Sequence, residues 1–82
     1  MNEKDILKSS MFEAVFKDNN LLVLFTWWAF VYVYKNVSKE DKQLFTEAES
    51  KWRYLIANIK NKYDFVKTKY KTLEECFDKY KF

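Results

Sequence analysis

Few side chains in this sequence could do chemistry. There is no His, so the residue most often used for proton transfer near neutral pH, and the commonest nitrogen ligand of metals, is absent. Cys76 is the single cysteine; it cannot build a zinc site alone, and the carboxylates of Glu74, Glu75 and Asp78 nearby in sequence oppose a thiolate nucleophile. Phosphate-binding loops need glycine, which the sequence lacks. We therefore predict a protein that is not an enzyme, with no catalytic residue, no cofactor and no metal.

The aromatic residues are the second informative group, at 21% of the chain. Aromatic side chains dominate the energetics of cores and of interfaces. From Leu21 to Tyr34 every residue except Thr26 is apolar or aromatic, and a helix that is hydrophobic all round has to be buried all round. Two partner helices cannot cover it, so part of this segment is expected to form an interface. The partner-binding residues predicted here and along the third helix are Trp27, Trp28, Phe30, Tyr34, Tyr54 and Phe65.

Two other interpretations of the apolar segment stay open at this stage. It could be a central core helix that the remaining helices wrap completely. It could also touch a membrane, although its 16 uncharged positions from 19 to 34 reach only about 24 Å as a helix, against about 30 Å of hydrocarbon. Membrane association therefore ranks last among the predicted partners.

Basic residues concentrate in one segment of the chain. The net charge is only +3, yet residues 51–71 hold seven basic side chains against Asp64 alone. Lysines with aromatic residues between them could grip phosphates and stack bases, whereas lysines beside an apolar stripe usually cover that stripe and keep a helix soluble. The predicted basic surface consists of Lys51, Arg53, Lys60, Lys62, Lys67, Lys69 and Lys71.

The elements that position these residues are predicted to be helices. The chain has neither Gly nor Pro, and sheet folds rely on Gly for turns with positive φ and on Pro in loops. A strand is the second interpretation of residues 21–34. It ranks below a helix because fourteen residues exceed the usual strand and no Asn-Gly turn divides them. We expect one all-α domain over residues 1–82, a bundle of three to four helices. Its helices are predicted at about 3–17, a fully apolar central helix at about 21–35, and a long C-terminal helix at about 39–70.

Local signals place the ends of these elements. Asp18, Asn19 and Asn20 predict a turn, since Asn tolerates left-handed backbone better than other residues with a side chain. Ser38, with Asp41 three residues later, has the pattern of a capping box, and Thr72 with Glu75 repeats the pattern and predicts a short terminal helix. The apolar positions of the long helix step by three or four residues, with one stutter at residues 59–63. The weak helix formers Asn58 and Asn61 there indicate either a slightly unwound continuous helix or a bend.

These observations favour a non-catalytic module that binds a protein partner, or a second copy of itself, through an aromatic helical surface. The abundance of Lys, Asn, Tyr and Phe suits an AT-rich coding sequence, so an inhibitor of a host protein encoded by a phage or virus fits the size and composition. A nucleic-acid-binding protein acting through residues 51–71 ranks second. A single cysteine and an N-terminus of mixed charge predict a cytoplasmic location, which is the host cytoplasm for a viral protein.

Overall fold

Five antiparallel strands form the centre of the molecule. The computed structural model describes residues 2–82, with Glu3 described by its backbone only. The strands are β1 (Leu7–Ser9), β2 (Phe12–Lys17), β3 (Asn20–Phe25), β4 (Tyr32–Tyr34) and β5 (Phe65–Lys67), and they lie side by side in chain order. Each neighbouring pair is antiparallel, so β1 and β5 are the two edges of the sheet.

Short helices surround the sheet. A 3-10 helix (Glu3–Asp5) precedes β1, and α1 (Lys39–Glu47), α2 (Lys51–Tyr54) and a π-helical turn (Leu55–Ile59) lie between β4 and β5. The chain ends with α3 (Leu73–Lys79). No helix described between residues 2 and 82 has the length and apolarity that are needed to cross a membrane.

One face of the sheet packs against α1 and the π-helical turn. Successive side chains of a strand point to opposite faces, so this face receives alternate residues of β2, β3 and β4. They form the larger hydrophobic core with α1 and the π-helical turn, and the buried members are Phe12, Ala14, Leu21, Val23, Phe25, Tyr34, Val37, Phe45, Leu55 and Ile59.

The opposite face packs against α3. It forms a second, smaller core whose buried members are Val15, Leu22, Val31, Val33, Leu73 and Cys76. The sheet is therefore the middle of three layers, and its central strand is covered on both sides. A strand buried on both faces is apolar at consecutive positions and shows no alternation of polarity.

The prediction of an all-α helical bundle is wrong, and the apolar segment shows why. Residues 21–25 belong to β3 and residues 32–34 to β4, with a connection at 26–31 between them. The continuous run of apolar residues reflects a strand enclosed by two helical layers, so there is no central helix at 21–35. Leu22 faces α3 while Leu21 and Val23 face the opposite core.

The absence of glycine also misled the fold prediction. The turn expected at residues 18–20 exists, but it joins β2 to β3 in a hairpin in which Lys17 pairs with Asn20. Asp18 adopts a φ of 55° there, and Asn36 after β4 adopts a φ of 56°. Asp and Asn are among the residues with a side chain that tolerate this left-handed region best, so this chain makes its tight turns without glycine. The segment predicted as a helix at 3–17 is β1 and β2 instead.

The long helix predicted at 39–70 is also wrong, although its start is correct. Ser38 caps α1, because its Oγ accepts a hydrogen bond from the Asp41 N–H at 3.1 Å. The helix then ends at Glu47, where Ala48 is extended with a ψ of 136°. A second helix begins after Ser50, whose Oγ accepts from the Arg53 N–H at 3.3 Å, so Ser50 starts a new helix where one continuous helix is predicted. The terminal helix predicted after Thr72 is confirmed as α3, with Thr72 Oγ1 accepting from the Glu75 N–H at 3.1 Å.

Candidate functional site

Two tryptophans lie exposed in the connection between β3 and β4. Trp27 has 53% of its surface exposed and Trp28 has 42%. The connection is tied to the sheet, because the Thr26 N–H donates to the Met11 carbonyl at 3.0 Å and the Trp28 N–H donates to the Phe25 carbonyl at 3.3 Å. Both large apolar side chains are therefore presented to solvent by an anchored backbone.

The rings of this region form one continuous set. Trp27 stacks on Phe25 with the ring centroids 4.8 Å apart, and it meets Trp52 of α2 edge-on at 5.4 Å. Phe25 in turn meets Tyr32 of β4 edge-on at 5.5 Å. Trp28 lies 6.4 Å from Tyr32. Such pairs stabilise the arrangement beyond simple burial, so the exposed rings are held in place by rings beneath them.

Strand β5 adds a further ring and a cation to this set. Its register pairs Phe65 with Tyr34 and Lys67 with Tyr32. The Phe65 ring lies almost parallel to the Tyr32 ring, at 5.4 Å and 16°, and Phe65 remains 47% exposed. Lys67 Nζ lies 5.7 Å from the Trp28 centroid and 5.9 Å from the Tyr32 centroid. We use the term aromatic surface for Trp27, Trp28, Phe30, Tyr32, Trp52 and Phe65.

A cavity of about 480 Å³ adjoins the aromatic surface. Trp28 lines it together with Phe25 and Thr26 from the β3 end. Lys71, which follows β5, provides a cation in its wall, and Glu13 of β2 provides a carboxylate. The cavity therefore offers apolar area and charged groups of both signs beside an exposed indole.

A second cluster of polar groups surrounds Asp41, which is only 6% exposed. The Tyr54 hydroxyl donates to Asp41 Oδ1 at 2.7 Å, and the Tyr63 hydroxyl donates to Oδ2. Lys62 Nζ lies 2.9 Å from the same Oδ2 and forms the one ion pair among the described side chains. The Ser38 N–H donates to the Tyr63 hydroxyl oxygen at 3.1 Å. These contacts tie α1 to α2 and to the segment after the π-helical turn.

The ionisation of this cluster follows from its hydrogen bonds. Donation by Tyr63 and Lys62 holds the pKa of Asp41 well below its usual range, in spite of its burial. Burial, together with the hydrogen bond to Asp41, raises the pKa of Tyr54 to about 12. The bond to Asp41 also raises the pKa of the exposed Lys62. These shifts keep Asp41 ionised and Tyr54 and Lys62 protonated at neutral pH, so the cluster is suited to holding the helices rather than to proton transfer.

The structure separates the six predicted partner-binding residues. Trp27, Trp28, Phe30 and Phe65 all belong to the aromatic surface, although Phe30 is half-buried. Tyr34 is fully buried in the larger core, and its hydroxyl has no hydrogen-bond partner among the described residues. Burial raises the pKa of Tyr34 to about 12. Tyr54 belongs to the Asp41 cluster on another part of the same sheet face.

The basic residues predicted over 51–71 do not share one surface, because no single helix carries them. Lys51 Nζ donates to the Ala48 carbonyl at 3.3 Å, and Lys62 is paired with Asp41. Lys67 lies at the aromatic surface and Lys71 in the adjoining cavity. The remaining three are exposed on separate segments: Arg53 on α2, Lys60 after the π-helical turn, and Lys69 after β5.

Sequence reasoning missed Tyr32 and Trp52 of the aromatic surface, and it missed Asp41 and Tyr63 of the second cluster. Tyr32 joins the exposed rings of β5 to those of the loop, and alternation along β4 places it on the same face as Tyr34. The sequence predicts Asp41 only as a capping residue, and no local pattern links it to Tyr54 and Tyr63 across a helix end. The buried thiol of Cys76, whose pKa is raised by burial, adds no nucleophile.

The architecture defines a small α+β domain, a five-stranded antiparallel sheet with helices on both faces. The model of the KTSC domain matches residues 8–63, and the chain belongs to this family. The matched residues run from β1 to Tyr63, so they include the Trp27, Trp28 and Tyr32 part of the aromatic surface and leave out Phe65 and Lys67 of β5. No curated protein matches the chain.

Proposed function

We propose that this chain is a non-catalytic binding module that recognises another macromolecule through its aromatic surface. The observation that carries the proposal is the exposure of Trp27, Trp28 and Phe65, at 53%, 42% and 47%, within one connected set of rings. Large exposed apolar patches on small domains mark interaction sites, and Trp is among the residues that contribute most at such contacts.

The supporting rings add rigidity to this surface. Trp27 rests on Phe25 and Trp52, and Phe65 rests on Tyr32, so little side-chain freedom remains to be lost on binding. Three kinds of partner could bind such a rigid aromatic surface. They are a host protein that a phage or viral inhibitor would block, a second copy of the chain, and a nucleic acid.

The experiment is an affinity capture with the full chain on beads. Cell lysate is passed over wild type, Trp28→Ala, Phe65→Ala and Leu44→Ala, and the eluted proteins and nucleic acids are identified by mass spectrometry and sequencing. Leu44 is a matched control, because it is 44% exposed but lies on α1. We expect the captured partner to be lost on Trp28→Ala and on Phe65→Ala and to be kept on Leu44→Ala. Capture that is equal for all four chains would overturn the proposal.

A further inference from the structure

The charge at the aromatic surface decides which kind of partner fits it. Lys67 Nζ lies 5.7 Å from the Trp28 centroid and 5.9 Å from the Tyr32 centroid, so one ammonium group accompanies both rings. Lysine is depleted in the cores of protein interfaces, because an ammonium group buried there loses its hydration. The described side chains give Lys67 no ion pair, since the pair that they contain joins Lys62 to Asp41. A cation beside two rings of this surface is better matched by a partner that brings an anion to the contact.

The ring geometry favours planar partners. Phe65 and Tyr32 are stacked at 16°, and Phe65 keeps almost half of its surface exposed at the edge strand of the sheet. Nucleobases stack on exposed aromatic rings whatever their sequence, because every base has a π face. Trp28, which is 42% exposed, supplies a second exposed ring, and its centroid lies 5.7 Å from Lys67 Nζ.

A second cation extends the positive charge beyond Lys67. Lys71 lines the cavity that Trp28 also lines, and Lys67 Nζ lies near the same indole ring. Two lysines therefore lie close to Trp28. Two carboxylates reduce this positive charge. Glu13 lines the same cavity, and Asp64 is the residue immediately before Phe65, where β5 begins. Two lysines nevertheless lie beside exposed rings, and binding sites for single strands use this combination of cations and aromatic rings.

We propose that the aromatic surface binds single-stranded nucleic acid. Bases stack on Phe65 and Trp28, and Lys67 and Lys71 contact the phosphates between them. This inference rests on the proposed function and names the partner of the same site. The surface recognises the strand through stacking and charge. It therefore requires unpaired bases, but it does not require a particular base sequence.

The test is fluorescence anisotropy with labelled oligothymidylate of about ten nucleotides, a length within the range of roughly 4–16 nucleotides that small domains cover. Oligouridylate tests the other sugar, and the duplex of oligothymidylate with oligodeoxyadenylate tests the need for unpaired bases. We expect both single strands to bind and the duplex to bind more weakly. Duplex binding as tight as single-strand binding would overturn the proposal.

Variants separate stacking from charge. Phe65→Ala should weaken binding by about 5- to 150-fold, and Phe65→Leu should lose most of this affinity too, because it keeps apolar volume but has no ring to stack. Leu44→Ala should bind like wild type. Equal affinity of wild type and Phe65→Leu, in a chain that circular dichroism shows to be folded, would contradict stacking on Phe65.

Salt dependence tests the lysines. Lys67→Ala should reduce the slope of log affinity against log salt by about 0.7, the value for one phosphate contact on a single strand. Lys79→Ala removes the same charge from α3, which packs on the opposite sheet face, and should leave the slope unchanged. Glu13→Gln should tighten binding. Equal effects of Lys67→Ala and Lys79→Ala would show diffuse attraction and overturn the assigned contact.

The two proposals fail in different ways. If wild type binds no oligonucleotide but captures a protein that Phe65→Ala loses, the nucleic-acid inference is wrong and the binding surface stands. If capture and oligonucleotide binding are both insensitive to Phe65→Ala and Trp28→Ala, the proposed function is wrong as well.

Discussion

The Asp41 cluster and the aromatic surface use similar residues for opposite purposes. Around Asp41, the hydroxyls of Tyr54 and Tyr63 are both engaged with a buried carboxylate. On the aromatic surface, the rings of Trp27 and Phe65 pack on neighbouring rings and remain about half exposed to solvent. The difference indicates that tyrosine hydroxyls fasten α1 to the elements that follow it, while exposed rings are kept for contact. Both regions lie on the sheet face that carries α1, so their roles can be separated by substitution.

The largest effect is expected in the core that supports both regions. Phe45 of α1 is fully buried and stacks with Phe12 at a centroid distance of 6.1 Å. Phe45→Ala should lower the free energy of unfolding by about 3–5 kcal/mol, measured by urea denaturation. Leu44→Ala, at the neighbouring exposed position, is the control and should change stability by less than about 0.5 kcal/mol. A small effect of Phe45→Ala would mean that α1 does not pack on the sheet.

Removal of the buried carboxylate should have the next largest effect. Asp41→Ala leaves the Tyr54 hydroxyl without its acceptor and leaves the Tyr63 hydroxyl with Ser38 Oγ, at 3.1 Å, in place of the carboxylate. A buried polar group that loses its partner costs about 1–3 kcal/mol. We expect a total loss of about 2–4 kcal/mol on the basis of those values, against almost none for Asp64→Ala, an exposed carboxylate. The measurement is again urea denaturation, and equal effects of the two substitutions would remove the structural role of the cluster.

Acid should weaken the same cluster. The pKa of Asp41 is lowered in the folded state, so its stabilising contribution is present above the pKa of an unfolded Asp, about 3.9, and is lost as the pH falls towards the folded value. Urea midpoints measured from pH 6 downward should therefore fall for wild type. The Asp41→Asn variant should show a flatter dependence, and a parallel decline of the two chains would contradict the assigned charge state.

Base should reveal the buried Tyr34. Its folded pKa of about 12 lies above the ordinary value of 10.0, so the folded state holds its proton more tightly and stability falls as the pH rises from 10 towards 12. Tyr34→Phe removes that contribution together with a hydroxyl that has no hydrogen-bond partner among the described residues. We expect Tyr34→Phe to change stability little at pH 7 and to flatten the decline above pH 10. A loss above about 2 kcal/mol at pH 7 would show that the hydroxyl has a partner.

The parts of the fold that local chemistry decides could be predicted from sequence. Ser38 and Thr72 cap helices because the hydroxyl oxygen of each accepts a hydrogen bond from the N–H three residues later. Such a contact depends only on neighbouring residues in the sequence. The turn at residues 18–20 followed from the tolerance of Asp and Asn for left-handed backbone. Each of these predictions is correct whatever the elements on either side.

The sheet could not be predicted in the same way. The strand β3 is buried by α3 on one face and by the α1 layer on the other, which erases the alternation that distinguishes a strand from a helix. The three- and four-residue steps from Phe45 through Ala48, Trp52 and Leu55 to Ile59 are real, but they span two helical pieces that Ser50 divides. Phe65 and Trp28 were recognised as contact residues separately, and only the pairing of β4 with β5 brings them to one surface with Lys67.

The most direct test of the binding surface is an NMR titration of the ¹⁵N-labelled chain with oligothymidylate. The indole N–H signals of Trp27 and Trp28 and the backbone amides of Phe65 and Lys67 should shift as the strand is added. Signals of α3 on the opposite sheet face, and of the Asp41 amide, should stay in place. Shifts centred on α3 or α1, with the indole and β5 signals unmoved, would contradict the assignment of the aromatic surface as the binding site.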